Sequence, residues 1–293
     1  MSGTISNFFN AVRPSNGNNS DRLAVPTAAK MNKQVSTSSQ MLPLTSLIGK
    51  VAVVTGSSRS IGAAIARSLG EQGANVVVNY VNDNKAADEV VQAIRSTGKG
   101  GAIAVRADTS TLQGGQLLLD EAVKTFGHID ILVLNAGIMG SKTLAEVDES
   151  FFDSHFEINV KAPLFMAKAA APLLPSRESH TNSIAACIKN RPVTPNALCY
   201  LATKGAIEQI SRVLAKDLGS RGITVNTISP GPVDTPQFRE GKPQSVLDSI
   251  AKQNPSRRLG EPDDIAPVVA FLASQAAQWI TGQNIRVNGG FVV

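Results

Sequence analysis

Four short runs of β-branched and aliphatic residues recur along the chain: VAVVT at 51–55, NVVVNY at 75–80, AIAVRAD at 102–108 and DILVLNAG at 130–137. Each leads into a turn. Runs this continuous are apolar on both faces, as strands buried between two layers are and strands with one wet face are not. Helical spacing fills the gaps, with Ile61, Ile65 and Leu69 on one face and further helical stretches at 84–97 and 111–127. Strands alternating with helices of ten or more residues make βαβ units around a parallel sheet. Farther along, the pattern predicts helices at 148–174, 198–219 and 262–274, with strands at 223–229 and 283–288. No internal repeat or low-complexity linker divides 46–293, so the expectation is α/β: one doubly wound domain whose parallel sheet has about seven strands.

Composition removes several other classes. At 293 residues and 42% hydrophobic the chain can bury a real core, and a mean hydropathy of +0.01 excludes wholesale disorder. Two cysteines cannot make a disulfide scaffold, and no apolar run approaches the roughly 20 residues of a bilayer span. The net charge of +5 and pI near 9.3 point toward a polyanion until the charges are located. Arg13, Arg22, Lys30 and Lys33 stand against Asp21 alone in 1–45, so three of the five charges lie there and the remainder is nearly neutral. That leaves no argument for nucleic acid.

Residues 1–45 are rich in Ser, Asn and Thr and read as a disordered extension. Ile5, Phe8, Phe9 and Val12 share a helical face there, so a mitochondrial presequence stands as an alternative to a floppy tail. An apolar secretory segment is absent, which implies a reducing, cytoplasmic setting with Cys187 and Cys199 as free thiols.

The first strand runs into Thr55-Gly56-Ser57-Ser58-Arg59-Ser60-Ile61-Gly62. Gly56 allows a sharp turn, and Gly62 at the helix start would let backbone and a pyrophosphate approach under the helix N–H groups. The competing reading is two glycines closing an ordinary βα turn. Position favours the first, because the turn follows the first strand and opens the first helix. The second strand ends Asn79-Tyr80 without the acid that would hold free ribose hydroxyls, and Arg59 sits in the turn. A guanidinium suits a 2′-phosphate, which makes NADP(H) the expected cofactor, with Arg59 as a solvated surface residue the alternative.

This turn resembles that of the short-chain dehydrogenase/reductase family, T-G-x-x-x-G-x-G, except that Ser60 stands at the middle glycine. A Cβ there crowds the phosphate, and a side chain as small as Ser is expected to be tolerated. The resemblance implies a Rossmann-type domain. It also places Asp108 at the adenine edge and Asn135-Ala136-Gly137 beneath the cofactor ribose.

Tyr200-Leu-Ala-Thr-Lys204 carries the chemistry. Spacing by four puts both side chains on one helix face, where the ammonium favours tyrosinate and draws the phenol pKa down from about 10. Such a phenol can protonate a carbonyl oxygen as hydride reaches the carbon, or run the reverse. A Y-x-x-x-K pair alone is common on solvated helices. Here it follows the glycine turn and NAG in the family's order. By the same resemblance Asn159 in Ile158-Asn159-Val160 completes a proton relay. Pro230, Gly231, Val233 and Thr235 match P-G-x-V-x-T, with Val233 at the nicotinamide carboxamide and Thr235 at a phosphate. Gly282-Gln283 through Asn288-Gly289-Gly290 resembles the family's last strand and turn.

The substrate-orienting serine fits less simply. Matching N-S-I-A-A in Asn182-Ser183-Ile184-Ala185-Ala186 selects Ser183, whereas gapless counting back from Tyr200 lands on Ala186 or Cys187. Ser183 is the expectation. A shifted loop and a site without the serine stay open.

His128, His155 and His180 have no ligand spacing, so no metal site is expected; Cys199 reads as a packed thiol and Ser256-Arg257-Arg258 as a solvated loop. The catalytic set is therefore Asn159, Ser183, Tyr200 and Lys204. The cofactor set is Gly56, Ser58, Arg59, Ser60, Ile61, Gly62, Asn79, Tyr80, Asp108, Asn135, Ala136, Gly137, Tyr200, Lys204, Pro230, Gly231, Val233 and Thr235. Together they imply an NADPH-dependent reductase of a small ketone, resembling fungal-type polyketide or naphthol reductases and 3-oxoacyl-thioester reductases. Its substrate would sit under a lid at 236–256, and helices 148–174 and 198–219 would build a homotetramer. Oxidation of an alcohol by NAD(P)+ and a nucleotide-binding scaffold without turnover are the alternatives.

Overall fold

Val51–Val54, Asn75–Tyr80 and Ile131–Leu134 are strands β1, β2 and β4, and every side chain of β1 and β4 is buried, as their unbroken apolar sequence requires. With β3 (Ala102–Arg106), β5 (Asn182–Cys187), β6 (Ile223–Pro230) and β7 (Asn284–Val287) they form one sheet in the order β3-β2-β1-β4-β5-β6-β7. All six pairings are parallel. The computed structural model describes residues 43–175, 182–187 and 194–293. The expected extension, except for its last three residues, lies outside them, as does the polar run before Asn182.

Helices cover both faces. Helices α1 (Ser60–Glu71), α2 (Asn84–Ser96) and α9 (Pro262–Leu272) pack on one side around Ile65, Leu69, Ile94 and Val269. On the other side, α3 (Leu112–Phe126), α5 (Ala162–Ala170) and α6 (Leu198–Leu218) enclose Leu118, Met166, Ile184 and Ile207. The expected helix at 148–174 is one path in four pieces: α4 (Glu149–Phe156), a π turn at Glu157–Lys161, α5, and a 3₁₀ turn at Ala171–Leu173. Two short helices, α7 (Pro236–Arg239) and α8 (Gln244–Gln253), follow β6 where the lid was expected.

At the amino ends of the strands, Asp130 is wholly buried and accepts from Val51 N at 2.8 Å and Lys50 Nζ at 3.2 Å. Burial pulls the Lys50 ammonium below its usual range, against the pull of Asp130. At the opposite, carboxyl ends, the chain leaves β1 and β4 in opposite directions. A doubly wound sheet opens a crevice at this switch.

Candidate active site

The crevice is a cleft of about 840 Å³ lined by the turn after β1, the end of β2, the turn after β4, and α7. Gly56, Ser58, Arg59, Ser60, Ile61, Gly62, Asn79, Tyr80, Asn135, Ala136 and Gly137 all reach it, so the first two βα turns and NAG converge. Arg59 is the N-cap of α1 and provides no side-chain cap, which leaves first-turn N–H groups available to an anion. Gly62 is required for packing as well: a Cβ there would lie 2.3 Å from Gly56 O and 2.6 Å from Asn135 Nδ2. Ser60 holds φ at +53°, the left-handed conformation that glycine adopts freely, at a cost of about 1–2 kcal/mol for an L side chain.

Several expected ligands turn out to brace the turn. Asn79 is buried, its Oδ1 accepting from Gly56 N at 2.9 Å and its Nδ2 donating to Ala107 O at 2.9 Å. Its amide thus braces the turn while the residue lines the cleft. Asn135 Nδ2 donates to Thr55 O at 3.0 Å and Gly56 O at 3.1 Å, while Thr55 Oγ1 accepts from the N–H groups of Asn135 and Ala136. Asp108 Oδ1 accepts from Ser110 N and Oγ, and Thr109 lines the cleft in its place. Gly231 and Val233 line a separate hollow of about 230 Å³ behind β6, and Pro230 ends that strand. The buried Thr235 caps α7 by accepting from Phe238 N at 3.1 Å.

At the inner end of the cleft, Gly137 meets the catalytic candidates. A Cβ on it would stand 2.9 Å from Asn159 Oδ1 and 3.7 Å from Lys204 Nζ. Lys204 Nζ lies 5.4 Å from the centroid of the Tyr200 ring, and Tyr200 is 2% exposed. Asn159 sits in the π turn, a widened turn that recurs at functional sites. It is held at both ends by Ile138, accepting from its N–H at 2.9 Å and donating to its carbonyl at 3.0 Å. Sequence reasoning missed Thr203, which accepts from Asn159 Nδ2 at 3.2 Å and donates to Tyr200 O at 2.7 Å. The signal available was a hydroxyl one residue before Lys204.

Ser183 is not part of this group. It pairs with Ile131 and Thr224 at the start of β5, and its N–H donates to Asp130 O. Leu134, the last residue before NAG, pairs instead with Ala186, three residues on and about 10 Å higher at a strand rise of about 3.3 Å. Direction disagrees too. Ile184 and Ala186 face the α6 side with Ile207, so Ser183 points with Ala185 toward the α1 side. The expectation for Ser183 is therefore corrected. The β5 side chain facing α6 at the level of the site is Ala186, which has no hydroxyl.

Among the described residues no group of His, Cys, Asp and Glu is placed to hold a metal, and no helix is long and apolar enough to cross a membrane. A family model described as enoyl-(acyl carrier protein) reductase matches residues 56–292. A versicolorin reductase of Emericella nidulans is 42% identical over 257 residues, covering 83% of this chain and 96% of that one. A short-chain dehydrogenase from Burkholderia cenocepacia in complex with NADP superposes with a TM-score of 0.77 at 34% identity, covering 84% and 98%. An angucycline C-6 ketoreductase with bound NADP gives 0.76 at 36% identity, covering 84% and 96%.

Proposed function

This chain belongs to the short-chain dehydrogenase/reductase family, and we propose on that premise that it reduces a ketone to a secondary alcohol with NADPH. The observation that carries the reading is the meeting of Asn159 and Lys204 at Gly137, a residue that lines the cleft opened by the glycine turn, with the Tyr200 ring beside Lys204 Nζ. The residues fit the dinucleotide: the first turn of α1 is uncapped, Arg59 lies in the cleft, and no acid ends β2. Reductases and NADP-bound structures among the relatives support the same cofactor.

When bound, NADPH supplies the hydride. Tyr200 donates its phenolic proton to the carbonyl oxygen, and Lys204 eases that transfer by stabilising the tyrosinate left behind. Asn159, fixed by Ile138 and Thr203, anchors the path by which the proton is replaced. Among the described residues, Ala186 stands on β5 where the family pattern has a hydroxyl donor, and loss of such a donor costs on the order of 10²-fold in rate. Alcohol oxidation uses the same residues in reverse.

The extension proposed at 1–45 precedes the family match, which begins at residue 56. A homotetramer through α4, α5 and α6 has support in the exposed Phe152, Phe165, Leu198 and Val213 on those helices. A cytoplasmic setting completes the proposal.

Steady-state kinetics over a panel of aromatic and acyl ketones test it, with NADPH expected to outperform NADH. Comparable efficiency with both would remove the 2′-phosphate role of Arg59. The position of Ser183 favours a second reading, a nucleotide-binding protein without turnover. Tight NADPH binding with no oxidation across the panel would select it.

A further inference from the structure

The cleft has a second arginine. Arg239, at the end of α7, lines it from the side facing the glycine turn, together with Pro236, Gln237 and Glu240. Its guanidinium is a fork on Asp234, with Nε to Oδ1 at 2.5 Å and Nη2 to Oδ2 at 2.6 Å, and a longer contact from Nη1 to Gln244 Oε1 at 3.4 Å. The pair holds the Asp234 carboxyl below its usual range and raises Arg239. Both side chains remain partly exposed, at 34% and 47%, so the pair contributes little to stability and can be exchanged cheaply for another anion.

We propose that Arg239 is a cofactor-binding residue that leaves Asp234 to hold the pyrophosphate of the dinucleotide. The inference rests on the nucleotide reading of the cleft and adds a residue and an order of events to it. Topology selects the pyrophosphate. Helix α7 follows β6, and β6 lies beyond β5 and β4 from β1, so α7 reaches the glycine turn from the β4 side. The end of β2, where a 2′-phosphate would meet Arg59, lies on the far side of β1. A planar guanidinium suits two phosphate oxygens as well as two carboxylate oxygens, and a pyrophosphate carries more charge than Asp234. Asp234 is then the resting partner that keeps Arg239 extended beside the open cleft.

The test measures dissociation constants of NADPH and NADH for the full chain and three variants, with melting temperature as a control on folding. R239Q is expected to weaken both cofactors alike, by about tenfold, because both carry the pyrophosphate. D234N removes the competitor and should tighten both by about threefold, while R59Q should weaken NADPH alone. Unchanged binding in R239Q would overturn the proposal, as would D234N weakening binding as R239Q does, which would make the pair a strut. A loss in R239Q confined to NADPH would move the contact to the 2′-phosphate and overturn the assignment. Failure of the unaltered chain to bind NADPH would refute the nucleotide reading itself, a separate outcome.

Discussion

Replacing Gly137 by Ala tests how tightly the catalytic group is packed. The added Cβ would lie 2.9 Å from Asn159 Oδ1, a distance that forces movement, and 3.7 Å from Lys204 Nζ, which is ordinary contact. Asn159 has nowhere to go, because Ile138 holds its amide from both sides at 2.9 and 3.0 Å. Relief must break one or both of these bonds, each contributing about 1 kcal/mol, so the fold should lose about 1–2 kcal/mol. For a domain of this size that lowers the melting temperature by about 2–8 °C. Activity should fall further, because displacing a positioned group by about 1 Å can cost on the order of 10²-fold in rate. The assay is ketone-dependent NADPH oxidation at saturating cofactor, with Asn159→Ala as a second background. In that background the clash is gone, and Gly137→Ala should cost less than threefold. Turnover by Gly137→Ala within twofold of the parent, or an equal loss in both backgrounds, would refute the argument.

Other consequences lie away from Gly137. Ser183→Ala should keep turnover within about twofold, since Ser183 faces the α1 side at the amino end of β5, and a loss near the 10²-fold expected of an oxyanion donor would contradict that placement. Asp130→Ala strands Lys50 and leaves Val51 N without its acceptor, which should cost about 3 kcal/mol and lower the melting temperature by about 6–12 °C, with the rate at 25 °C unchanged. Wild-type melting with substantial loss of activity would reverse that assignment. Asp264 is held below its ordinary value of 3.8 by Arg258 and by the Glu261 N–H, so its contribution is complete above that value and disappears as pH falls through the lower folded value. Asp264→Asn should therefore melt below the parent at neutral pH and converge with it as pH falls through the lowered folded value; a gap that widens in acid would contradict the sign.

The sheet was legible because its strands carry their burial in their own residues: Val51–Val54 and Ile131–Leu134 are apolar throughout and lie at the centre. Strand β5 is different. Its register comes from β4 and β6, and its polar Asn182 and Ser183 are paired there by their neighbours' backbones. A motif match along the chain could not see that Ser183 lies one pleat and about 10 Å from the site. The Tyr200–Lys204 pair was legible because helical spacing fixes it. The bracing roles of Asn79 and Asn135 were not, since an amide looks the same in sequence whether it meets a ligand or braces a turn. The π turn at Glu157–Lys161 was likewise hidden, because one extra residue in a helix barely disturbs its apolar period. Arg239 acquires meaning only when the fold brings α7 across from the glycine turn.

The central claim is that Tyr200 delivers the proton. Tyr200→Phe preserves the ring in a site only 2% exposed and removes the phenol alone. Measured side by side, NADPH binding should match the parent while ketone-dependent NADPH oxidation falls by about 10³-fold, within the range for loss of a general acid. Tyr200→Phe turning over at the parental rate would contradict the account.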